Sequence, residues 1–205
     1  MSLGLHRLWK KRFVEIIDIE KNDVILDVGS GSGDIAKEIL KKKLSNSLYL
    51  LDLNKEMLQQ GEKRLKKYKN IKFVVGNAEK LNFEKNFFDK YTISFCLRNV
   101  TEFIKSIKEA HRVLKPGGKY FCLEFSNPKS SLVNKTYKIY KSNILPFLGE
   151  IVANDKNAYK YLSESIDLFP NQEELEKIII ACGFTQVKTI NLFNGIVAIH
   201  TGYKI

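Results

Sequence analysis

The stretch that decides the fold reads Val24-Ile25-Leu26-Asp27-Val28-Gly29-Ser30-Gly31-Ser32-Gly33-Asp34. An apolar run interrupted only by Asp27 is typical of a buried strand. The three alternating glycines then predict a tight turn, because glycine tolerates positive φ and lets a ligand approach the backbone. Asp34 favours the start of a helix, whose N-terminal dipole attracts negative charge. The stretch therefore predicts a strand, a turn and a helix, as in nucleotide-binding α/β proteins.

Helical and strand-like patterns alternate outward from this stretch. We predict helices over 5–17, 34–43, 55–68, 101–114 and 172–181. The strand patterns cover 24–28, 48–53, 71–75, 91–95, 119–125, 184–192 and 195–204. Strands separated by helices form a parallel sheet with right-handed crossovers, and Phe193-Asn194 between the last two predicts an antiparallel hairpin. The predicted fold is α/β, with a doubly wound, seven-stranded, mostly parallel sheet and a C-terminal antiparallel hairpin.

The alternation is interrupted twice. Lys115-Pro116-Gly117-Gly118 predicts a break between the helix at 101–114 and the strand at 119–125. From 126 to 170 the alternation lapses, yet the segment is too apolar for a disordered linker. Its aromatic residues include Tyr137, Tyr140, Phe147, Tyr159, Tyr161 and Phe169. We interpret 126–170 as a helical lid inserted into a single domain that spans 1–205.

The composition narrows the classes of function. No apolar run approaches the ~20 residues that span a bilayer. Cys96, Cys122 and Cys182 have no metal-binding spacing, so we expect free thiols and no metal site. The net charge of +11 comes from 29 Lys and 5 Arg, and so few Arg argue against base-specific nucleic-acid binding. We expect a solvated lysine-rich surface or attraction to an anionic membrane, and no nucleic-acid partner.

The acids around the glycines favour S-adenosylmethionine as the cofactor. A dinucleotide site has the spacing GxGxxG, whereas here the third glycine comes one residue early, after Ser32. Asp27 would repel a pyrophosphate but favours the amino group or the sulfonium of S-adenosylmethionine. Asp52 ends the second strand, where an acid can bind ribose hydroxyls, and Asn77-Ala78 follows the third strand, where the adenine would be bound.

Further segments, spread over the whole chain, are more specific than the glycine loop. They are Gly4-Leu5-His6-Arg7-Leu8-Trp9-Lys10, Ile93-Ser94-Phe95-Cys96-Leu97-Arg98-Asn99-Val100, Leu123-Glu124-Phe125-Ser126, Tyr159-Lys160-Tyr161-Leu162-Ser163-Glu164-Ser165-Ile166 and Gly195-Ile196-Val197-Ala198-Ile199-His200-Thr201-Gly202-Tyr203-Lys204. Together they resemble the ubiquinone/menaquinone biosynthesis C-methyltransferases, which have a Rossmann-like fold. The resemblance implies that S-adenosylmethionine is converted to S-adenosylhomocysteine while a ring carbon is methylated.

The resemblance also implies an acceptor and a set of contacts. The acceptor would be a polyprenylated benzoquinol of the 2-methoxy-6-polyprenyl-1,4-benzoquinol type or, alternatively, demethylmenaquinol. Carried over by motif, the cofactor contacts fall on Ser32, Asp52, Asn77, Ala78 and Ser94. With the acid and glycines added, the predicted cofactor residues are Asp27, Gly29, Gly31, Ser32, Asp52, Asn77, Ala78 and Ser94. Cys96 stands where the family commonly has glycine.

Two residues after the fourth strand are predicted to be catalytic. Carbon methylation needs an electron-rich ring, which a phenolate provides better than a phenol. Arg98 is the candidate for lowering the pKa of that phenol, and Asn99 for orienting its oxygen or a water. The alternative for Arg98 is a structural salt bridge. The general base stays open among the histidines, with His111 expected to be solvated, His200 structural and His6 undecided.

The implied partners follow from the substrate. A polyprenyl tail implies peripheral membrane association, and a homodimer or a quinone-biosynthesis complex are further expectations. An RNA methyltransferase and a non-catalytic scaffold of such a complex are the competing functions. Segments 109–114 and 149–152 look closest to mitochondrial and alphaproteobacterial members. With the short start, they lead us to expect the matrix side of the mitochondrial inner membrane after removal of a targeting peptide, or a membrane-associated protein of the cytoplasm if the chain is bacterial.

Overall fold

A computed structural model describes residues 5–42, 47–126, 161 and 164–205. The strands are β1 (Val24–Val28), β2 (Ser47–Asp52), β3 (Ile71–Val75), β4 (Phe88–Ser94), β5 (Leu114–Phe125), β6 (Thr185–Leu192) and β7 (Val197–Tyr203). The helices are α1 (Leu5–Ile16), α2 (Asp34–Leu40), α3 (Lys55–Leu65), α4 (Phe103–Val113) and α5 (Gln172–Ala181). Single 3-10 turns cover Leu97–Asn99 and Phe193–Gly195.

The strands form one sheet in the order β3-β2-β1-β4-β5-β7-β6. Strands β1 to β5 pair in parallel, and β7 pairs antiparallel with both β5 and β6. The strand order reverses between β1 and β4, so a crevice opens beyond their carboxyl ends, where ligands bind in folds of this kind. The predicted doubly wound sheet with an antiparallel C-terminal hairpin is confirmed.

Helices cover both faces of the sheet. On one face, α1, α2 and α3 pack through residues such as Phe13, Ile35 and Leu58. On the other face, α4 and α5 pack through residues such as Ile107 and Ile179. A sheet buried on both faces explains why its central strands are apolar throughout rather than alternating. In the part of the chain that the structure describes, no helix is long and apolar enough to cross a membrane.

The predicted end of the helix before Lys115-Pro116-Gly117-Gly118 is confirmed, but these four residues belong to β5 and do not separate the helix from the strand. Helix α4 ends at Val113, and β5 starts at the next residue. The backbone N–H of Gly117 donates to the Lys204 carbonyl (2.7 Å), and the N–H of Lys204 donates to the Gly118 carbonyl (3.0 Å). The segment is therefore held in the sheet by the C-terminal end of the chain, a pairing that local turn propensity does not reveal.

Most of the predicted lid at 126–170 lies outside the described residues, and so do Tyr137, Tyr140, Phe147 and Tyr159. Of the described part, 164–168 is helical. The ring of Phe169 packs on that of Phe103, with centroids 5.7 Å apart. The Tyr161 hydroxyl donates to Oδ1 of Asn99 (3.3 Å). This hydrogen bond joins the segment to the turn that follows β4.

The β6–β7 connection has the geometry predicted for a hairpin. Phe193, Asn194 and Gly195 all have positive φ, at 47°, 55° and 89°. Asn and Gly tolerate this region well, whereas an aromatic residue there is strained. Phe193 is held by an edge-on contact with Trp9, with ring centroids 5.7 Å apart.

Candidate cofactor site

The glycine loop after β1 requires glycine at its first position. Gly29 has a φ of 64°, and a Cβ placed there would lie 2.2 Å from Sγ of Cys96. Gly31 and Gly33 also have positive φ, at 52° and 79°. The loop is closed by a hydrogen bond from the Gly33 N–H to the Ser30 carbonyl (2.9 Å). The backbone therefore turns tightly and packs directly against the residues that follow β4.

Asp52, at the carboxyl end of β2, ties this loop to the next strand. Its Oδ2 accepts a hydrogen bond from the Gly31 N–H, and its Oδ1 accepts one from the Asn54 N–H, each at 2.8 Å. A carboxylate has about four acceptor positions. Two positions are therefore used to fix the carboxylate, and the others remain for the hydroxyl groups of a ligand.

A pocket of about 300 Å³ opens beside Asp52, at the carboxyl ends of the central strands. Five of the predicted site residues share its wall, namely Gly29, Asp52, Asn77, Ala78 and Asn99. Oδ1 of Asn77 accepts from the N–H of Glu79 (2.8 Å), which leaves the amide N–H groups of Asn77 available to a ligand. An acid at Asp52, a small apolar side chain at Ala78 and an amide at Asn77 fit the ribose and adenine of S-adenosylmethionine.

Asp27 lies buried at the base of the loop. The Thr92 hydroxyl donates to its Oδ1 (2.8 Å), whereas Oδ2 has no hydrogen-bond partner among the described residues. Burial raises the pKa of this carboxyl to about 7, against the lowering effect of the Thr92 hydrogen bond. A buried acceptor without a partner fits a nearby positive group, such as the amino group of the same cofactor.

Other predicted cofactor residues lie outside the pocket wall. Gly31 contributes its N–H to Asp52. Ser32 contributes its carbonyl and hydroxyl oxygens to Arg64, at 3.4 and 3.3 Å. Ser94 is the last residue of β4 and pairs with Leu123 of β5. Gly31 and Ser32 thus shape the loop in this structure, and Ser94 lies at the edge of the crevice.

Arg98 forms a buried ion pair with Glu124 of β5. Its Nη1 donates to Oε1 of Glu124 (2.8 Å) and to the Phe95 carbonyl (2.9 Å). The side chains of Arg98 and Glu124 are 8% and 2% exposed. Oε1 and Oε2 of Glu124 also accept from the backbone N–H groups of Phe125 and Arg98. The ion pair therefore anchors the turn that carries Asn99 into the pocket.

The three histidines lie away from the pocket wall. His200 is buried, and its Nε2 lies 3.0 Å from the Gln172 carbonyl, which fits the structural role expected for it. The expectation that His111 is solvated is wrong, because its half-buried ring packs edge-on against Phe184 with centroids 5.1 Å apart. Burial, and then Lys204, lower the pKa of His111. His6 lies on α1, in a separate groove.

Sequence patterns missed part of the pocket wall. Leu53, Gly76, Val100 and Thr101 also line it. Gly76 carried a usable signal, because it directly follows β3 and a Cβ there would lie 2.9 Å from Cδ1 of Leu51. The others had none, since they are ordinary residues that the turns after β2 and β4 bring into the crevice.

Comparison with known proteins gives a full-length match. A family model described as the ubiE/COQ5 methyltransferase family matches residues 1–204. The chain is 51% identical over 212 residues to the "Ubiquinone/menaquinone biosynthesis C-methyltransferase UbiE" of Rickettsia bellii (strain RML369-C), covering 100% of this chain and 85% of that protein. It is also 51% identical over 213 residues to the protein of the same name from Rickettsia prowazekii, with the same coverage.

Solved structures share the fold at lower identity. A SAM-dependent methyltransferase from Aquifex aeolicus superimposes with a TM-score of 0.70 and 15% identity, covering 97% of this chain and 93% of that one. Phosphoethanolamine N-methyltransferase 2 of Haemonchus contortus, in complex with S-adenosyl-L-methionine, gives a TM-score of 0.72 and 17% identity, over 95% of this chain and 52% of that one. At these identities the likeness concerns the fold.

Proposed function

The chain belongs to the ubiE/COQ5 methyltransferase family and is an S-adenosylmethionine-dependent C-methyltransferase, and we propose that its acceptor is a ring carbon of a polyprenylated benzoquinol. The proposal transfers to this chain what the names of its Rickettsia relatives say of those proteins. Because those names cover menaquinone as well, demethylmenaquinol is the second candidate acceptor. The observation that carries the proposal is the pocket beside Asp52, whose wall reaches the turn that holds Arg98.

Each predicted cofactor residue receives a role from its contacts. Asp52 binds the ribose hydroxyls with its free acceptor positions, and Asn77 and Ala78 bind the adenine. Asp27 attracts the amino group of the methionine part through its unpaired oxygen. Gly29 and Gly31 give the loop its tight backbone, Ser32 holds the loop through Arg64, and Ser94 lies at the edge of the crevice. When bound, S-adenosylmethionine supplies an electrophilic methyl group on a sulfonium.

Arg98 acts on the acceptor by hydrogen bonding rather than by net charge. Glu124 offsets the guanidinium charge, and Nη1 is already used twice. The Nε–H of Arg98 is buried and has no acceptor among the described residues. A buried donor without an acceptor costs about 1–3 kcal/mol. A phenolate oxygen that accepted this hydrogen bond would remove the cost, and its negative charge would make the ortho carbon nucleophilic.

Asn99 lies on the pocket wall and orients the same oxygen or a neighbouring water. Its Oδ1 accepts from Tyr161, so its amide N–H groups remain to donate. No histidine of the described residues lines the pocket, and we assign the departing ring proton to a water held there. The residues thus hold the acceptor and the methyl group in line, and this alignment contributes to the rate of the transfer.

The cofactor assignment is tested by calorimetry. Asp52→Ala removes both the proposed ribose contact and the anchor of Gly31. We expect micromolar binding of S-adenosylmethionine by the parent and at least tenfold weaker binding by the variant. Glu62→Ala removes an exposed acid from α3 and is the matched control, with unchanged affinity. Equal affinities in all three proteins would contradict the assignment.

The acceptor assignment is tested by turnover of a short-chain benzoquinol against a short-chain demethylmenaquinol. Arg98→Lys keeps a positive charge but removes the Nε–H donor. We expect kcat with the benzoquinol to fall about 10- to 100-fold, with cofactor affinity unchanged. Turnover of demethylmenaquinol alone would replace the first candidate by the second. An active Arg98→Lys variant would show that Arg98 serves only its ion pair.

The partners and the location are also proposals. We propose peripheral association with the membrane that holds the polyprenyl tail, and a homodimer or a quinone-biosynthesis complex as the assembly. The bacterial relatives favour the cytoplasmic side of a bacterial membrane over the mitochondrial matrix. We also propose that residues 1–205 form one domain, with 126–170 as a helical lid inserted into it.

A further inference from the structure

A groove of about 420 Å³ lies between α1, α2 and α3, apart from the cofactor pocket. Every side chain that lines it is ionisable. Its cations are Arg7, Lys10, Lys37, Lys41 and Arg64, its acids are Asp34 and Glu38, and His6 completes the wall. With His6 neutral, the lining carries a net charge of +3, from five cations and two acids.

The acids of the groove are already neutralised by some of its cations. Asp34 pairs with Lys10 (2.7 Å) and with Arg64 (2.6 Å). Burial alone would raise the pKa of Asp34, but Lys10 and Arg64 lower it to about 2, so that it stays ionised. Glu38 pairs with Lys41.

Arg7 and Lys37 are left without an acidic partner in the described part of the chain. Both side chains are exposed at the groove. Burial lowers the pKa of the neighbouring His6, and the charges of Lys10 and Arg7 lower it further. Asp34 acts in the opposite direction, but Lys10, Arg7 and the unpaired Lys37 give the groove an excess of positive charge, which favours an anionic ligand.

The groove lies at the carboxyl end of the sheet, as the cofactor pocket does. Trp9 of α1 contacts Phe95 and Phe125, which follow or end β4 and β5, with centroids 6.1 Å apart in both pairs. Further along α1, Phe13 contacts Phe121, which lies deeper in β5. The first turns of α1, which carry groove residues, are therefore at the same edge of the sheet as the cofactor pocket.

Exposed apolar side chains stand at the same edge. Leu8, next to Arg7 on α1, is 59% exposed, and Phe193, against Trp9, is 51% exposed. Leu53, on the wall of the cofactor pocket, is 72% exposed. Cations combined with exposed apolar side chains on one edge are typical of surfaces that rest on an anionic bilayer.

We propose that the groove between α1, α2 and α3 binds the phosphate of an anionic phospholipid headgroup, with Leu8 and Phe193 entering the apolar layer. The inference rests on the proposed function in one respect, because only an acceptor that resides in the membrane requires the protein to dock there. Lipid is favoured over nucleic acid because three of the five groove cations are lysines and because the exposed apolar side chains at this edge include Leu8 and Leu53, on which a base cannot stack. Docking here would present the pocket to the membrane.

The test is co-sedimentation with vesicles of phosphatidylglycerol and phosphatidylcholine, compared with phosphatidylcholine alone. The variant Arg7→Ala/Lys37→Ala removes the two unpaired cations and leaves the Asp34 and Glu38 pairs intact. The control Lys177→Ala/Lys188→Ala removes the same charge from exposed sites on α5 and β6. At about fivefold per cation, we expect the groove variant to bind anionic vesicles about 10- to 30-fold more weakly. The control should differ from the parent by less than about fivefold, because its charges act only through the diffuse field.

Several results would overturn the proposal. Equal losses in both variants would mean that only overall charge attracts the protein. Unchanged vesicle binding in the groove variant would show that the groove does not contribute to membrane docking. Binding of inorganic phosphate that is lost in the groove variant while its vesicle binding stays unchanged would assign the site to free phosphate, and selective loss of RNA binding would assign it to nucleic acid. Turnover of a water-soluble quinol by the parent and by the groove variant is measured in parallel and should be equal. A parent protein without turnover would contradict the proposed function and leave the vesicle result to be judged on its own.

Discussion

Burial of Asp27 in the folded protein disfavours the ionised form of its carboxyl group. Burial raises its pKa from 3.8 to about 7. The folded state therefore holds a proton that the unfolded state has released between about pH 4 and pH 7. In that window stability falls as the pH rises, and above it the cost of the ionised carboxylate is constant.

We predict that Asp27→Asn removes this pH dependence. The amide keeps the acceptor for the Thr92 hydroxyl but carries no charge. Relative to the parent, the free energy of unfolding of the variant should be nearly equal at pH 4 and higher by about 2–4 kcal/mol at pH 8. Urea denaturation at both pH values gives the difference, and other titrating groups cancel in the comparison. Parallel curves for the two proteins would show that Asp27 titrates normally in the fold.

Arg98 and Glu124 should stabilise the fold only as a pair. Arg98→Met or Glu124→Gln alone leaves one buried charge without its partner, which costs about 3–5 kcal/mol. The double variant carries no buried charge, so its loss should be clearly smaller than the sum of the two single losses. A double-mutant cycle in guanidinium chloride measures this coupling. Additive losses would mean that the two groups do not interact in solution.

At the scale of elements, the β1–α2 turn depends on its contact with the segment after β4. Gly29 and Gly117 both have positive φ, at 64° and 82°. A Cβ at Gly29 would overlap Cys96, whereas a Cβ at Gly117 would meet no atom within 4 Å. Substituting alanine for each of the two glycines therefore separates the cost of backbone strain from the cost of steric overlap.

We predict that Gly29→Ala lowers the free energy of unfolding more than Gly117→Ala does. Strain alone should cost about 1–2 kcal/mol at either position. The overlap should add to this at Gly29 and weaken S-adenosylmethionine binding, measured by calorimetry, because Cys96 must leave the pocket wall. Cys96→Gly in the Gly29→Ala background should restore part of both losses. Equal losses of unfolding free energy at the two glycines would mean that the overlap with Cys96 does not contribute to stability.

At the scale of the whole molecule, the C-terminal end of the chain locks one layer of helices to the sheet. The Nζ of Lys204 donates to the carbonyls of His111 and Leu114 (2.8 and 2.7 Å) and to Oδ1 of Asn86 (2.7 Å). These acceptors lie at the end of α4, at the start of β5 and before β4. One side chain thus satisfies helix carbonyls that have no partner within the helix.

We predict that Lys204→Met destabilises the protein by about 1.5–3 kcal/mol, the range for hydrogen bonds to a charged group. Lys188→Met, at an exposed position of β6, should change the free energy of unfolding by less than about 0.5 kcal/mol. Urea denaturation monitored by circular dichroism measures both. Identical midpoints for parent and Lys204→Met would mean that water replaces the ammonium group at no cost.

From the sequence alone we could predict the order of helices and strands, the parallel sheet with its terminal hairpin, and the positions of the glycine loop and Asp52 after the first two strands. These features depend on local periodicity and on glycine, which neighbouring residues specify. The three-dimensional structure was needed to show that Arg98 pairs with Glu124, that Lys115-Pro116-Gly117-Gly118 belongs to the sheet, and that α1 contributes cations to a groove. Those outcomes depend on contacts between residues far apart in the chain and on the burial that such contacts create, which no local pattern encodes.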